Sequence, residues 1–305
     1  MELYQLRSFA AVAESGHLTR AADKLHISQP ALSGQIKALE DELGVALFER
    51  NPTGMTLTPA GQRLLPEAVK VVTAAAALRS RAKSFAGETA GRAAVGTLAD
   101  PQFLRLGDFL ARAVERYPLV EVELHHEVSG AAFAKVRDGE LDAAFYYGDL
   151  AHPGVAAQRL RDVAYRVVAP IGWQARVDAA DWDAIAAMPW IMTPAISTHS
   201  ALAQALFAAH GVAPAKSIEA DNETVISSLV VAGLGVALMR EDLAQEAAAA
   251  GSLCLWRDVR ATTSLQFLHL RDRGNDPVIR ALADIVACVW DDDCTQRHDD
   301  PRAAA

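Results

Sequence analysis

Between Leu18 and Glu40 the apolar positions fall at Ala21, Ala22, Leu25, Leu32, Ile36 and Leu39, with polar residues between them. Three- and four-residue spacing is one face of an α-helix, so the stretch predicts two helices joined at His26-Ile27. Thr19 can open the first. Ser28 fits as N-cap of the second, with Gln29 and Pro30 in its first turn, where N–H groups lack intrahelical partners and proline is tolerated. The acid run Glu40-Asp41-Glu42 closes that helix as a solvated end, and Gly44 fits its stop. Leu3–Glu14 predicts an earlier helix that turns Leu6, Phe9, Ala10 and Val12 onto this pair. Asn51-Pro52-Thr53-Gly54 is turn chemistry between two short extended segments, a two-stranded hairpin.

Thr58-Pro59 then opens a long helix. Leu64, Ala68, Val71, Ala75, Leu78, Ala82 and Phe85 step alternately by four and three, a heptad seam of about three repeats that can pair two chains. Pro66 predicts a kink in its first turns. Gly87–Gly91 reads as a hinge. From there the pattern alternates: strand 92–98, helix 101–116, strand 120–128, helix 131–138, strand 141–147. Short strands between amphipathic helices predict α/β layers with mainly parallel sheets. The tail 291–305 is polar and Ala-ended and reads as disordered.

The outer face of the helix after Ser28 carries Gln29, Ser33, Gln35 and Lys37, polar side chains of the kind that read base edges in a major groove. The run AADKLHISQPALSGQIKALEDELGVALFER, followed by LTPAG, resembles the N-terminal domain of LysR-type transcriptional regulators. The resemblance implies a mixed fold: a winged helix-turn-helix over 1–58, a dimerising linker helix over 59–87, a hinge at 88–92 and an α/β effector domain over 93–290. Base reading is expected of Gln29, Pro30 and Ser33, with Thr19, Gln35, Lys37 and Arg50 holding the backbone; Ser28 counts among the DNA-binding residues, and Arg50 and Thr53 at the wing can touch phosphate or minor groove. Gly34 and Thr53 stand where relatives often carry Arg, which predicts fewer phosphate contacts and a weaker salt dependence.

Further landmarks carry the likeness through most of the chain: Tyr117-Pro118, Asp138-Gly139-Glu140-Leu141-Asp142-Ala143, Pro189-Trp190-Ile191 and Val231-Ala232-Gly233-Leu234-Gly235-Val236. They imply two Rossmann-like subdomains, as in periplasmic solute-binding proteins. The chain crosses near Arg161 and returns near Thr263, giving 93–161 with 263–290 and 162–262, with the effector between them. Family pocket positions fall on Asp100, Ser129, Thr193, Thr198 and His199, with Asn222 and Glu223 opposite. Asp100 departs from the family's Ser or Thr. Before Pro101 it also fits as the N-cap of a helix, and Ser129 fits a similar cap.

Composition narrows the function. The net charge of −9 argues against bulk attraction to nucleic acid, so DNA binding must be local. Through Arg92 eleven Lys/Arg oppose nine Asp/Glu, so the N-terminal part is mildly basic and the remainder acidic. Cys254, Cys288 and Cys294 fit no metal spacing and read as free thiols in a reduced cytosol, although some relatives sense oxidants through cysteines. No apolar run is long enough to span a bilayer. Val231–Val236 follows a helical run and precedes a strand-like one, the reverse of a dinucleotide loop, so Gly233 reads as a helix stop. His125-His126-Glu127 places only His125 and Glu127 on one strand face, too few for a metal. No nucleophile elbow or acid pair stands out, so neither enzyme nor cofactor is expected.

The expected partners are operator DNA, a small-molecule effector and further copies of the chain, paired through the linker helix and, by resemblance, a homotetramer. The expected location is the cytoplasm. The alternative is a solute-binding or enzymatic α/β protein whose N-terminal helices serve only in association. With Asp100 and Glu223 across the pocket and no Arg in the stretches assigned to it, the effector is expected to be neutral or an amine.

Overall fold

The structure, a computed structural model, describes residues 1–51, 54–84, 89–214 and 216–291. Helices α1 (Leu3–Ser15), α2 (Leu18–Lys24) and α3 (Gln29–Leu43) form the N-terminal bundle. Leu6, Phe9 and Val12 of α1 bury against Ala21 and Ala22 of α2 and Leu32, Ile36 and Leu39 of α3, so the helical period marks the core side. Ser28 caps α3 by accepting the Ala31 N–H at 3.3 Å. Strands β1 (Phe48–Asn51) and β2 (Gly54–Leu57) pair antiparallel as the wing, and Phe48 meets Phe9 edge-on at 5.5 Å. Pro52 and Thr53, at its expected tip, lie outside the described residues.

Glu40 is not merely a solvated helix end. Its Oε1 accepts the Leu47 and Phe48 N–H groups at 2.7 and 3.2 Å and fastens the wing to α3. The LTPAG run has an equally local reason. Thr58 Oγ1 donates to the Ala46 carbonyl at 2.7 Å and accepts the Gly61 N–H at 3.0 Å, opening α4 (Pro59–Ser84). A Cβ on Gly61 would stand 2.2 Å from the Leu47 carbonyl oxygen, so only glycine permits this approach.

Helix α4 runs through Pro66 without being divided. Its first turns pack on the bundle through Leu64, Leu65 and Ala68, while Val71 and Leu78 further along are 47% and 70% exposed. Phe85, the last seam position, lies outside the described residues.

The C-terminal region is built from β3 (Gly91–Thr97), α5 (Leu106–Arg116), β4 (Val120–His126), α6 (Ser129–Asp138), β5 (Ala143–Tyr147) and β6 (Val155–Pro170). There follow α7 (Gln174–Asp178), α8 (Trp182–Ala186), β7 (Pro189–Met192), α9 (Thr198–Ala208), β8 (Lys216–Glu219), α10 (Glu223–Val231), β9 (Val236–Arg240), α11 (Glu241–Ala249), β10 (Leu253–Leu270) and α12 (Pro277–Trp290). The sheet order is β4-β3-β5-β10-β6-β9-β7-β8. Within it β3 is parallel to β4 and β5, and β7 is parallel to β8 and β9. The two long strands β6 and β10 run antiparallel between these parallel sets and belong to both, with Val163 opposite Thr263. Two lobes result, one on each parallel set.

An apolar cluster runs through both lobes, from Phe109, Phe145 and Phe267 to Trp190, Phe207 and Trp256. The Asp138–Ala143 landmark pins the first lobe: Asp142 Oδ2 accepts the Ala94 N–H at 2.7 Å and its other oxygen pairs with Arg273. Arg273 also holds Asp276 at 2.9 Å, and Asp276 caps α12. Gly233, at φ +84°, follows the end of α10, in keeping with a helix stop. Two expectations fail locally. Residues 101–105 form a turn rather than the start of α5, because Arg105 adopts φ +49° and its guanidinium reaches the Val289 carbonyl at 2.7 Å. Ser129 is the first residue of α6 rather than its cap, which falls to Val128.

Candidate functional site

Burying Leu32, Ile36 and Leu39 forces the opposite face of α3 outward. On that side Gln29, Pro30 and Lys37 are exposed and Ser33 is half-buried. Thr19, in the first turn of α2, donates to Gln29 Oε1 at 3.4 Å, and Arg50 of the wing donates to Ser33 Oγ at 3.4 Å. Three elements thus converge on one polar surface. Gln35 does not belong to it. It follows Leu32 by one turn, on the flank of the core face, and its Oε1 accepts from the buried Ser8 hydroxyl at 2.5 Å. Ser28 uses its hydroxyl on the cap. At Gly34 an added Cβ would meet nothing within 4 Å, so the missing Arg is not a packing requirement.

The second site is a cleft of about 380 Å³ between the lobes. In parallel sheets ligands gather beyond the carboxyl ends of the strands, and the lining follows that rule. Leu98–Gln102 follow β3, His126–Ser129 close β4, Tyr147 ends β5, Thr193 and His199 follow β7, Asp221–Thr224 follow β8 and Arg240 ends β9. The sequence-assigned Asp100, Ser129, Thr193, His199, Asn222 and Glu223 come together here. Thr198 is not among the lining residues. Its neighbour Ser197 is, and caps α9 by accepting the His199 N–H at 3.2 Å.

The expectation of a pocket without Arg is overturned. Arg240 is 3% exposed and bridges the lobes: its Nη2 stands 2.8 Å from Asp100 Oδ2, and its Nε and Nη2 grip Asp242 at 2.6 and 2.9 Å. Phe103 lies 3.7 Å beneath the guanidinium carbon. Burial disfavours the Arg240 charge, but Asp242 and Asp100 outweigh it and hold its pKa above the ordinary arginine value. Asp100 does cap, but it caps the turn, with Oδ1 accepting the Phe103 N–H at 2.9 Å. Arg240 is the last residue of β9, a strand parallel to β7, and the strand order brings it to the cleft.

The other lining groups have definite commitments. Ser129 Oγ accepts the Tyr147 N–H at 3.2 Å, leaving its own proton free to donate. Asn222 caps α10 through the Thr224 N–H at 2.8 Å. Glu223 Oε1 accepts the Arg240 N–H at 2.7 Å, and burial, with smaller contributions from Asp242 and Asp100, raises its pKa. His199 Nε2 donates to the Leu238 carbonyl at 3.0 Å, and Nδ1 faces Thr193 Oγ1 at 3.2 Å. Both ring nitrogens are engaged within the protein, so His199 presents an aromatic edge and not the hydrogen bond expected of it. Burial lowers its pKa and keeps it neutral.

Elsewhere, Glu127 pairs with Lys135, and His125 lies 3.5 Å from Glu123. Among the described residues no group of three His, Cys, Asp or Glu could hold a metal, and no helix is long and apolar enough to cross a membrane. Cys254 is a buried free thiol whose pKa is raised by burial. Cys288 is disulfide-bonded, which corrects the reading of it as a free thiol, and Cys294 lies outside the described residues.

A winged helix-turn-helix with an open polar face, joined by a long helix to a two-lobed domain with a ligand-sized cleft, defines a ligand-responsive DNA-binding protein. Residues 3–62 match the family of bacterial regulatory helix-turn-helix proteins, lysR family, and residues 86–291 match the LysR substrate binding domain. The chain belongs to the LysR family of transcriptional regulators. It is 33% identical over 248 residues to the HTH-type transcriptional regulator IlvR of Caulobacter vibrioides, covering 78% of this chain and 82% of that protein. It is 36% identical over 169 residues to a probable hydrogen peroxide-inducible genes activator of Streptomyces viridosporus, spanning 55% of this chain and about half (54%) of that protein. In fold it is similar to a full-length OxyR variant from Pseudomonas aeruginosa, with a TM-score of 0.69, 24% identity and 94% of each chain covered.

Proposed function

We propose that this regulator reads operator DNA with Gln29, Pro30 and Ser33 at the start of α3, and holds the phosphate backbone through Thr19, Lys37 and Arg50. The observation that carries this reading is the convergence of α2, α3 and the wing on one polar surface. Side chains at a recognition-helix N-terminus contact base edges while flanking cations fix the register. Residues 1–58 act as the DNA-binding domain, 59–87 as the linker and 93–290 as the effector domain. The exposed Val71 and Leu78 on the seam of α4 support pairing of two chains, and four chains assemble on the operator. A small molecule between the lobes shifts the arrangement of the DNA heads by binding one lobe geometry better than another. The chain acts as a cytoplasmic regulator and not as an enzyme.

Fluorescence anisotropy of the full chain on the DNA upstream of its own gene, against a shuffled duplex of equal length, tests this. The expected preference is on the order of 10³-fold or more. Equal affinity for the two duplexes would overturn it and favour a solute-binding or enzymatic α/β protein with an association domain.

A further inference from the structure

Arg240 is the one Lys or Arg in the wall of the cleft among the described residues, and its charge is already matched. Asp242 takes its Nε and Nη2 and Asp100 its Nη2, at 2.6–2.9 Å, with Phe103 against its face. Its Nη1 keeps no hydrogen-bond partner, but an incoming anion would meet there a guanidinium already neutralised by two carboxylates. Around that single cation stand Asp100, Asp242, Glu223 and Asp221, so four carboxylates and one guanidinium leave three formal negative charges. Glu127 is matched separately by Lys135.

Glu223 forms no direct ion pair among the described residues, although the Arg240 guanidinium acts on it at longer range. Its Oε1 takes one backbone N–H, from Arg240. Burial and the neighbouring carboxylates disfavour its charge, and a cation arriving in the cleft would relieve that. The helix N-termini of α9 and α10, which would otherwise attract an anion, are capped by Ser197 and Asn222. Leu98, Ile226, Leu243, Tyr147 and Tyr165 give the cleft an apolar and aromatic part beside the polar Gln102, His126, Ser129 and Thr193. Aromatic faces beside carboxylates suit an ammonium group on an apolar body.

Resting on the reading of the cleft as the effector site, we infer that the effector is a small organic cation, an amine or amidine on an apolar body, with its charged head held by Glu223. The test is calorimetry on the full-length protein with three carbon bodies, benzyl, cyclohexylmethyl and n-pentyl, each carrying an ammonium, a carboxamide or a carboxylate. The ammonium members are expected to bind at least tenfold tighter than the carboxylates. Glu223→Gln, whose melting point is measured alongside, should reduce ammonium binding at least tenfold. Thr224→Trp, which fills the exposed rim of the cleft, should block it.

Tighter binding of the carboxylates, no saturable binding by any ammonium, or ammonium binding unchanged in Glu223→Gln would each overturn the inference. Carboxylate binding that Thr224→Trp blocks would overturn the charge assignment alone and leave the cleft reading standing. Ligands that bind the Thr224→Trp protein and the wild type equally would overturn both.

Discussion

Asp100 and Arg240 meet at 2.8 Å across the cleft, the first on the turn after β3 and the second at the end of β9, so an ion pair ties the two lobes together. The Arg240 side chain is 4% exposed and leaves its Nη1 buried without a hydrogen-bond partner. Removing the arginine strands Asp100 and Asp242 without their cation. Arg240→Ala should cost about 1–3 kcal/mol, less than breaking a fully buried pair because Asp100 and Asp242 stay 29% and 54% exposed, read by urea unfolding. Asp100→Asn, which keeps an acceptor for the Phe103 N–H, should cost clearly less. Equal losses would mean that the pair is not the seat of the effect.

Gly130 makes a further contact between the lobes. A Cβ there would stand 2.1 Å from the Ile196 carbonyl oxygen, so Gly130→Ala forces α6 away from the loop before α9. In an isolated helix the same change would stabilise by about 1 kcal/mol. Here the melting temperature should fall, by the equivalent of about 1–3 kcal/mol, and binding in the cleft should weaken. A rise in melting temperature would contradict the close approach.

Much of this architecture was legible in the chain. The three- and four-residue spacing placed Leu32, Ile36 and Leu39 inward correctly, because a helix core face is a local property. Ser28 before Gln29-Pro30 marked its cap for the same reason. The misses lie where distant segments meet. Gln35 looked like part of the polar face until α1 brought Ser8 against it. The chain was expected to return near Thr263, yet β10 already begins at Leu253, because β6 runs beside it along most of its length. Arg240 reached the cleft through strand order, which spacing does not encode.

His199 gives a sign-definite pH dependence. Burial lowers its pKa in the folded protein, partly offset by the bond to Leu238. Its contribution to stability is present above the unfolded value of about 6.5 and is lost as pH falls through the folded value. Thermal melts between pH 8 and pH 5 should show a steeper acid-side loss in the wild type than in His199→Gln. Parallel curves would show that the ring protonates without cost.

Leu78 is 70% exposed in the single chain, on the seam expected to pair α4 with a second copy. Leu78→Glu would bury an unpaired charge in that contact. Sedimentation should show smaller species than the wild type and weaker operator binding. An unchanged oligomer would place the chain–chain contact elsewhere.

The division of labour on the DNA face is the central claim, and one titration tests it most directly. The affinities of wild type, Gln29→Ala and Arg50→Ala would be measured on the upstream duplex and on its shuffled counterpart, across a salt series. Gln29→Ala should lose about 1–3 kcal/mol on the specific duplex alone. Arg50→Ala should weaken both duplexes alike and flatten the salt dependence by about one ion. If Gln29→Ala kept the full operator preference, the exposed face of α3 would not be the reading surface.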